Sequence, residues 1–217
     1  MKYQAAIFDL DGTLINSLDD LADATNWGLT QLGLPTHAVM DYRYLVGAGR
    51  TELCRRALPA DKQALLETLI SLMTKHYSEH YFDKTRPYPG ITEMLEKLAH
   101  TGIKLAILSN KPHDFVLLTM KHLFPKFHFD LIYGDRDDIP RKPDPTGAIN
   151  IAKELGVSPA QTAYVGDTSI DMETANRAQM YAIGVSWGFR EKAELIESGS
   201  KVIVDTPDEL FQVITGS

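Results

Sequence analysis

The sequence predicts an α/β fold in which a doubly wound, mostly parallel β-sheet carries an inserted α-helical cap domain. Short continuous apolar runs recur along the chain, as in strands that are covered on both faces. In the second part of the chain these runs alternate with helical patterns, which is typical of a parallel sheet. Residues 16–86 break the alternation and carry helical patterns alone. We therefore expect a core of residues 1–15 and 87–217 and a helical cap of residues 16–86.

The first predicted strand, Ala5–Phe8, ends in two aspartates, a glycine and a threonine within the stretch IFDLDGTL. The cap follows this stretch, and Ser17 is the predicted N-cap of its first helix, whose apolar residues fall on one face. A second long helical pattern runs from Asp61 to about Tyr81, with no strand-like run between the two. The stretch DKTRPYPG is the predicted return from the cap to the sheet.

Five further apolar runs predict the rest of the sheet. The helices between them have recognisable ends, because PGITEMLEKLAHTG closes on Thr-Gly and TPDEL opens the last helix with a capping-box pattern. In such a sheet the carboxyl ends of all parallel strands lie along one edge, where ligands bind. The five runs are IKLAILS (Ile103–Ser109), FDLIYG (Phe129–Gly134), TAYVGD (Thr162–Asp167), YAIGV and KVIV.

The composition excludes several classes of protein. The 217 residues are 44% hydrophobic and 24% charged, as in an ordinary globular protein. A net charge of −7 without a basic stripe argues against a nucleic-acid partner. There is no apolar stretch of about 18 residues for a membrane span, and the N-terminal apolar run is too short for a signal peptide, so we expect a cytoplasmic protein. The single cysteine, Cys54, excludes an internal disulfide, and we expect it to be buried or half-buried.

Four groups of polar residues follow strands of the predicted sheet, which suggests one shared crevice at the strand ends. Each group alone has an ordinary structural explanation: a turn, a helix cap, a loop charge or an acid in the first turn of a helix. Their joint placement favours a functional site over four coincidences. The groups are Asp9, Asp11, Gly12 and Thr13; Ser109 and Asn110; Lys142; and Asp167 and Asp171.

Three of these carboxylates require a counter-charge if they meet. Each pair about 4 Å apart repels by about 4 kcal/mol at an effective dielectric constant near 20. A bound cation removes this repulsion most simply. With Asp9, Asp11 and Asp167 as ligands every donor is an oxygen, which suits Mg²⁺, a hard ion that binds through few carboxylates and substrate phosphate. The sequence therefore predicts Mg²⁺ as the cofactor.

The stretches DLDGT, SN, KP and GDTSID, in this order and with a helical insert after the first, resemble the four motifs of the haloacid-dehalogenase-like phosphohydrolases. The resemblance covers nearly the whole chain. Within that superfamily the chain is most similar to the phosphoglycolate-phosphatase-like subgroup, through YLVGAG in the cap, PYPG at the return, KPDP and WGF. The resemblance implies a Rossmann-like core and a phosphatase acting on a small phosphorylated metabolite, with 2-phosphoglycolate as the favoured substrate.

The resemblance also implies roles for individual residues. Asp9 would be the nucleophile, forming an aspartyl-phosphate that water hydrolyses, and would also bind the metal. Asp11 would protonate the leaving alkoxide and later deprotonate the water, while its main-chain carbonyl reaches the metal. Asp167 would complete the set of metal ligands, and Asp171 would support those ligands from outside.

Phosphoryl transfer accumulates negative charge on the equatorial oxygens, so fixed hydrogen-bond donors are needed there. The glycine of DLDGT lets the backbone approach the phosphate closely. Lys142 is assigned both to catalysis and to phosphate binding. The predicted phosphate-binding residues are Gly12, Thr13, Ser109, Asn110 and Lys142.

Other functions stay open at this point. The substrate could be a sugar phosphate, a nucleotide or pyrophosphate, or the chain could be a β-phosphoglucomutase-like enzyme. Asp11 argues against the dehalogenase and phosphonatase branches, and Thr13 mildly favours a phosphatase over a mutase. A non-catalytic phosphometabolite-binding protein is the alternative from a different class, but it predicts the loss of at least one of the four key residues, and none is lost. These four are Asp9, Asp11, Lys142 and Asp167.

The cap carries weaker signals. Arg43 and Arg50 flank the loop Gly47–Gly49 and could bind a substrate carboxylate, or they could be surface arginines. The loop itself lacks a third glycine and a preceding strand, so we expect it to face the crevice and not to bind a dinucleotide. His76 and His80 have helical spacing but no acidic third ligand, which favours solvated or packing histidines over a zinc site. We expect a monomer or a homodimer.

Overall fold

The structure is a computed structural model that describes residues 2–217. Six of its eight strands form one parallel sheet, and the other two form a small antiparallel pair. The strands are β1 (Ala5–Phe8), β2 (Ile15–Asn16), β3 (Arg86–Pro87), β4 (Lys104–Pro112), β5 (Leu131–Asp135), β6 (Thr162–Gly166), β7 (Tyr181–Val185) and β8 (Val202–Val204). The order of the large sheet is β5-β4-β1-β6-β7-β8.

The helices fall into two sets. Four lie between β2 and β3, and the other six follow β3 and cover the large sheet. The first set, which we call the helical insertion, contains α1 (Leu18–Gln31), α2 (Tyr42–Leu45), α3 (Arg50–Ala57) and α4 (Leu66–His80). The second contains α5 (Ile91–Ala99), α6 (His113–Leu123), α7 (Thr146–Glu154), α8 (Ser169–Arg177), α9 (Lys192–Glu197) and α10 (Pro207–Thr215).

Strand β1 is the centre of the large sheet, and helices bury both of its faces. Successive residues of a strand point to opposite faces, so Phe8 packs with Leu95 of α5 and Leu210 of α10. Ile7 packs on the other face with Ile151 of α7. This double coverage explains why β1 is apolar without alternation. The predicted doubly wound α/β fold with a helical insert is confirmed.

The order of strands reverses its direction at β1. From there the chain builds outward through β4 and β5 on one side, and later through β6, β7 and β8 on the other. Ligands bind in the crevice outside the carboxyl ends of the strands at such a switch point. The residue at that place is Asp9, directly after β1.

The helical insertion has an apolar core of its own. Leu29 of α1 packs with Leu69 and Met73 of α4, and Phe189 from the large-sheet part of the chain joins this cluster. Cys54 is fully buried here, as predicted, and burial raises the pKa of its thiol to about 12. The exact division of the chain at residues 16–86 stays a prediction.

Three local features of the insertion differ from the prediction. The predicted helix from Asp61 begins as a 3-10 helix over Ala60–Leu65 and becomes α-helical only at Leu66. Helices α2 and α3, four and eight residues long, are too short to give a clear periodic pattern. Ser17 occupies the N-cap position of α1, but its hydroxyl donates to Oδ1 of Asp11 at 2.6 Å and does not cap the helix.

The strand pair β2–β3 is the element that the sequence did not predict. Ile15 pairs with Pro87 and Asn16 pairs with Arg86, so the chain leaves the large sheet and returns to it side by side. Two residues per strand cannot produce an alternating pattern, and this explains the miss. Among the described residues, no helix has both the length and the apolar character needed to cross a membrane.

Candidate active site

Asp9 lies at the floor of a crevice at the carboxyl ends of the strands. Its backbone N–H donates to the carbonyl oxygen of Val165 at 2.9 Å, which fixes it as a continuation of β1. Its carboxylate lies 2.8 Å from the Lys142 ammonium. Burial, opposed by Lys142 and assisted by Asp171, raises the pKa of the Asp9 carboxyl to about 7. The predicted nucleophile is therefore a buried carboxylate with a cation beside it.

The turn after β1 brings its glycine and threonine against Asp167. Gly12 has a φ of +92°, and a Cβ at this position would lie 2.3 Å from Oδ2 of Asp167. The hydroxyl of Thr13 donates to Oδ1 of Asp167 at 3.1 Å. Glycine is needed both for the positive φ and for the close approach. The structure thus shows Gly12 and Thr13 against a carboxylate, and their contacts with a phosphate stay a prediction.

Asp167 follows β6 and is completely buried. The backbone N–H of Phe189 donates to its Oδ2 at 2.8 Å, and a Cβ on Gly188 would lie 2.2 Å from its Cβ. Burial raises the pKa of the Asp167 carboxyl well above its ordinary value, and the charges of Asp171 and Asp9 add to this. The stretch WGF after β7 therefore forms a wall of the site, a role that the sequence did not reveal.

Lys142 and Asp171 form a buried ion pair next to Asp9. The Lys142 ammonium lies 2.7 Å from Oδ1 of Asp171, and the Oδ2 of Asp171 accepts from the backbone N–H and the hydroxyl of Thr168. Burial alone lowers the pKa of Lys142, but Asp171 and Asp9 raise it well above its ordinary value. Asp171 thus has a fixed partner at each oxygen: Lys142 at Oδ1 and Thr168 at Oδ2. The contact with Thr168 is the capping box of α8.

The carboxylates meet closely enough to hold a metal ion. One ligand oxygen each from Asp9, Asp167 and Asp171 lie within 4.8 Å of one another. All donors are carboxylate oxygens, which fits a hard divalent cation. Burial first, and then the charges of neighbouring carboxylates, raise the pKa values of Asp9 and Asp167, so a cation in the cluster would favour their charged forms. This set shares Asp9 and Asp167 with the predicted ligands. It contains Asp171 in place of the side chain of Asp11.

Asp11 points away from this cluster. Its Oδ1 accepts from the Ser17 hydroxyl at 2.6 Å and from the Lys111 ammonium at 2.9 Å. Lys111 also donates to the hydroxyl of Tyr77 at 2.7 Å. Sequence reasoning missed both Lys111 and Tyr77. The signal for Lys111 was its position, directly after the predicted donor Asn110.

Ser109 and Asn110 lie within β4 at its carboxyl end, and they have different environments. The hydroxyl of Ser109 accepts from the backbone N–H of Lys111 at 3.2 Å. The side chain of Asn110 accepts from the backbone N–H of Lys142 at 2.9 Å and donates to the carbonyl oxygens of Lys142 and Gly47. The Asn110 amide thus ties β4 to the Lys142 loop and to the helical insertion.

A pocket opens above Asp9 and Asp11 between the large sheet and the helical insertion. Arg50 is the predicted cap arginine that lines this pocket. Its Nη1 donates to the Thr74 hydroxyl at 3.0 Å, while its buried Nε has no hydrogen-bond partner within the described part of the chain. The walls supplied by the insertion and by α6 are otherwise mainly apolar: Leu21, Val46, Leu53, Met73 and Phe115.

Arg43 has other partners and lies outside the pocket lining. Its Nε donates to the carbonyl oxygen of Phe189 at 2.6 Å, and its Nη2 lies 3.3 Å from the carboxylate of Glu191. These contacts hold the insertion to the stretch after β7, and binding of a substrate carboxylate by Arg43 stays a prediction. Both partners lie far away in the sequence, in the segment between β7 and α9, which explains why the sequence did not predict these contacts.

The glycine loop and the two histidines of the cap can be compared with their predicted roles. Gly47 and Gly49 both line the pocket, so their loop faces the crevice, as expected. The rings of His76 and His80 stack at 4.4 Å, and that of His76 also contacts Trp27 at 5.1 Å. This packing, with His80 46% exposed, agrees with the preferred interpretation of these residues as solvated or packing histidines.

The raised pKa of Asp9 predicts how the stability of the metal-free protein depends on pH. Between the ordinary value of 3.8 and about 7, folded Asp9 holds a proton that the unfolded chain has lost. Since the folded state binds more protons there, the free energy of unfolding falls as the pH rises through this window. We expect the melting temperature in EDTA to fall from about pH 4 to about pH 7. Asp9→Asn should flatten the decline, and an equally steep decline in that variant would contradict the assignment.

Comparisons with known proteins agree with this geometry. The family model of the haloacid dehalogenase-like hydrolases matches residues 6–185. A phosphoglycolate phosphatase of Pseudomonas syringae pv. tomato is 32% identical over 216 residues, which cover 97% of this chain and 78% of that protein. A phosphoglycolate phosphatase of Aquifex aeolicus is 35% identical over 183 residues, which cover 84% of each chain.

A solved structure with the same fold covers the whole chain. It is the crystal structure of a protein from Lactobacillus delbrueckii subsp. bulgaricus that is described as a candidate phosphoglycolate phosphatase. The TM-score is 0.94 at 33% identity, and the alignment covers 100% of both chains. Together with the family match and the carboxylate cluster after β1 and β6, this shows that the chain belongs to the haloacid dehalogenase-like hydrolase family, in its phosphoglycolate-phosphatase-like subgroup.

Proposed function

We propose that the chain is an Mg²⁺-dependent phosphatase that hydrolyses a small phosphorylated metabolite through an aspartyl-phosphate on Asp9. Its family makes it a phosphoric monoester hydrolase. The observation that carries the mechanism is the position of Asp9, a buried carboxylate at the switch point of the sheet, 2.8 Å from the Lys142 ammonium and open to a pocket. A carboxylate in this setting is a suitable nucleophile for in-line attack on phosphorus.

Asp9 and Asp167 would hold the metal, with Asp171 behind them. When bound, Mg²⁺ supplies positive charge that offsets the charge of the phosphate and of the carboxylates. Asp171 keeps Lys142 in place, because its Oδ1 accepts from the Lys142 ammonium while its Oδ2 is held by the backbone N–H and hydroxyl of Thr168. The main-chain carbonyl of Asp11 stays a proposed ligand.

The reaction divides between two carboxylates. Asp9 attacks phosphorus, the bond from phosphorus to the ester oxygen breaks, and the leaving alkoxide takes a proton from Asp11. Asp11 then removes a proton from water, which attacks phosphorus and releases phosphate and free Asp9. The ammonium of Lys142, with Ser109 and the backbone N–H of Asn110, would stabilise the charge on the phosphoryl oxygens. The N–H groups of Gly12 and Thr13 belong to the same proposed set.

We propose 2-phosphoglycolate as the favoured substrate, for two reasons. Relatives that are 32% and 35% identical carry the name phosphoglycolate phosphatase. The pocket is also lined by Arg50, whose guanidinium suits a substrate carboxylate, since charge-assisted hydrogen bonds are strong. A sugar phosphate, nucleotide, pyrophosphate or mutase substrate remains the alternative. The oligomeric state and a cytoplasmic location stay predictions.

A phosphate-release assay tests the function. The protein is incubated with p-nitrophenyl phosphate, 2-phosphoglycolate and a panel of sugar phosphates and nucleotides, each with Mg²⁺ and with EDTA. We expect turnover with Mg²⁺, loss of turnover in EDTA, and the highest kcat/KM for 2-phosphoglycolate. Binding of these esters without phosphate release in Mg²⁺ would instead support a non-catalytic phosphometabolite-binding protein.

Replacing Arg50 tests how the pocket recognises its substrate. A hydrogen bond to a charged group is worth about 1.5–3 kcal/mol, so Arg50→Gln should raise the KM for 2-phosphoglycolate by about 10- to 100-fold. The KM for p-nitrophenyl phosphate, which has no carboxylate, should change little. Arg43→Gln is the matched control, because Arg43 contacts Phe189 and Glu191. A selective KM effect in the control, or none in Arg50→Gln, would contradict the assignment.

A further inference from the structure

Lys111 is a buried cation that the proposed mechanism does not yet use. Its ammonium lies 2.9 Å from Oδ1 and 3.2 Å from Oδ2 of Asp11, and only 4% of its side chain is exposed. A buried lysine is costly unless its charge and its hydrogen bonds are matched. Both conditions are met for Lys111, because the Asp11 carboxylate balances its positive charge and the Tyr77 hydroxyl accepts a hydrogen bond from its ammonium at 2.7 Å.

The two oxygens of Asp11 differ in how firmly they are held. Oδ1 accepts from both the Ser17 hydroxyl at 2.6 Å and the Lys111 ammonium at 2.9 Å, whereas Oδ2 has the longer contact of 3.2 Å with Lys111. Two donors at Oδ1 fix the rotation of the carboxylate. Oδ2, whose one contact is the longer one with Lys111, is therefore the less firmly held oxygen and the better placed to exchange a proton with the leaving group or with water.

Tyr77 connects this carboxylate to the helical insertion. It lies on α4 and is 3% exposed, and its ring meets that of Phe115 edge to face with 5.2 Å between centroids. The hydroxyl is consequently fixed by the packing of α4 against α6. Asp11, Lys111 and Tyr77 all line the pocket above Asp9. A side chain of the insertion thus reaches the proton-transfer group through a single lysine.

We propose that Lys111 and Tyr77 are positioning residues that hold Asp11 for proton transfer at Oδ2, so that the helical insertion takes part in the acid–base step. The inference rests on the proposed role of Asp11. The competing role for Lys111 is direct binding of the substrate, since it also lines the pocket. If Lys111 only positions Asp11, its loss should slow only the proton-transfer step. If Lys111 binds the substrate directly, its loss should lower kcat/KM for every phosphate ester to a similar extent.

The need of the leaving group for a proton separates these two roles. A simple alkyl phosphate releases an alkoxide that must be protonated, while p-nitrophenyl phosphate releases a stable phenolate. We expect Tyr77→Phe and Lys111→Met to lower kcat/KM for the alkyl ester by about 10- to 100-fold, and for the aryl ester by less than about threefold. Because kcat/KM covers the steps up to phosphorylation of Asp9, the later hydrolysis does not enter the comparison.

A double-mutant cycle tests whether the two residues act in series. If Tyr77 works only through Lys111, the double variant should lose no more alkyl-ester activity than Lys111→Met alone. Tyr81→Phe is the matched control on the same side of the insertion, because the Tyr81 ring also contacts Phe115, at 5.7 Å. Its alkyl-to-aryl ratio should equal that of the wild type. Tyr77→Phe removes one oxygen only, so it keeps the test valid if Lys111→Met folds poorly.

Asp11→Asn separates failure of this inference from failure of the proposed function. If Asp11→Asn loses alkyl-ester activity selectively but Tyr77→Phe and Lys111→Met do not, positioning is wrong and the acid–base role of Asp11 stands. If Asp11→Asn also affects both esters equally, the acid–base assignment itself fails. Equal losses on both esters with a raised KM in Lys111→Met would identify Lys111 as a substrate-binding residue and overturn the inference.

Discussion

Asp9→Asn is expected to reduce turnover of every phosphate ester by about 10⁴-fold or more, because an amide cannot form the covalent intermediate. The protein should still fold, since the substitution preserves shape and removes one of the carboxylates that repel each other in the buried cluster. The measurement is the steady-state rate with Mg²⁺, with the melting temperature as a check on folding.

Trapping the intermediate makes this prediction specific for the nucleophile. Acid quenching during turnover of a substrate with radioactive phosphate should leave label on the wild-type chain and none on Asp9→Asn. Asp208→Asn makes the same chemical change at an exposed residue of α10, whose carboxylate pairs with Lys97, and should retain both label and activity. Full turnover in Asp9→Asn would rule out Asp9 as the nucleophile.

Asp167→Asn and Asp171→Asn are expected to change stability in opposite directions. Burial and the charges of Asp171 and Asp9 raise the pKa of the Asp167 carboxyl, so a neutral side chain there relieves repulsion. At a pH high enough to ionise Asp167 in the wild type, the metal-free Asp167→Asn protein should have the higher free energy of unfolding. Its activity should fall by about 10²-fold or more, since a proposed metal ligand is lost.

Asp171→Asn is the contrasting variant. Asp171 accepts from the Lys142 ammonium and from two donors of Thr168, so its replacement leaves a buried lysine with a weaker partner and disturbs the cap of α8. Breaking a buried ion pair costs about 3–5 kcal/mol, and we expect a loss in this range or somewhat below it. Denaturant unfolding in EDTA measures both variants. Destabilisation by Asp167→Asn to the same extent as Asp171→Asn would contradict the repulsion argument.

Much of this site could be predicted because parallel strands end at a common edge. Asp9 follows β1 and Asp167 follows β6, and these two strands are neighbours in the sheet. The alternation of apolar runs and helices predicted the parallel sheet and its common edge, although not which strands are neighbours. Lys142 could be predicted as a site residue for the same reason, because it lies in the loop that follows β5 at this edge of the sheet. Strand order therefore converts distant positions in the sequence into one crevice.

The parts that escaped prediction depend on contacts between the insertion and the sheet. Tyr77 lies on the buried face of α4 together with Leu69 and Met73, and nothing in its spacing distinguishes it from a packing residue. Arg43 and Arg50 look equivalent in the sequence, yet Arg43 contacts Phe189 and Arg50 lines the pocket. Nothing in the sequence indicated that Asp11 forms an ion pair with Lys111. Tertiary packing decides these cases, and periodicity carries no information about it.

The pairing of β2 with β3 has a consequence for how such enzymes diversify. Since Asn16 and Arg86 are direct neighbours, the two ends of the helical insertion are joined at one small base. A segment attached in this way resembles a cassette, because its length and sequence can vary without moving the points where it meets the sheet. Asp9 and Asp167 would keep their geometry while the cassette is exchanged. Grafting residues 17–85 from a relative that has another preference but keeps a serine and a tyrosine at the positions of Ser17 and Tyr77 should thus transfer substrate choice and leave the contacts of Asp11 intact.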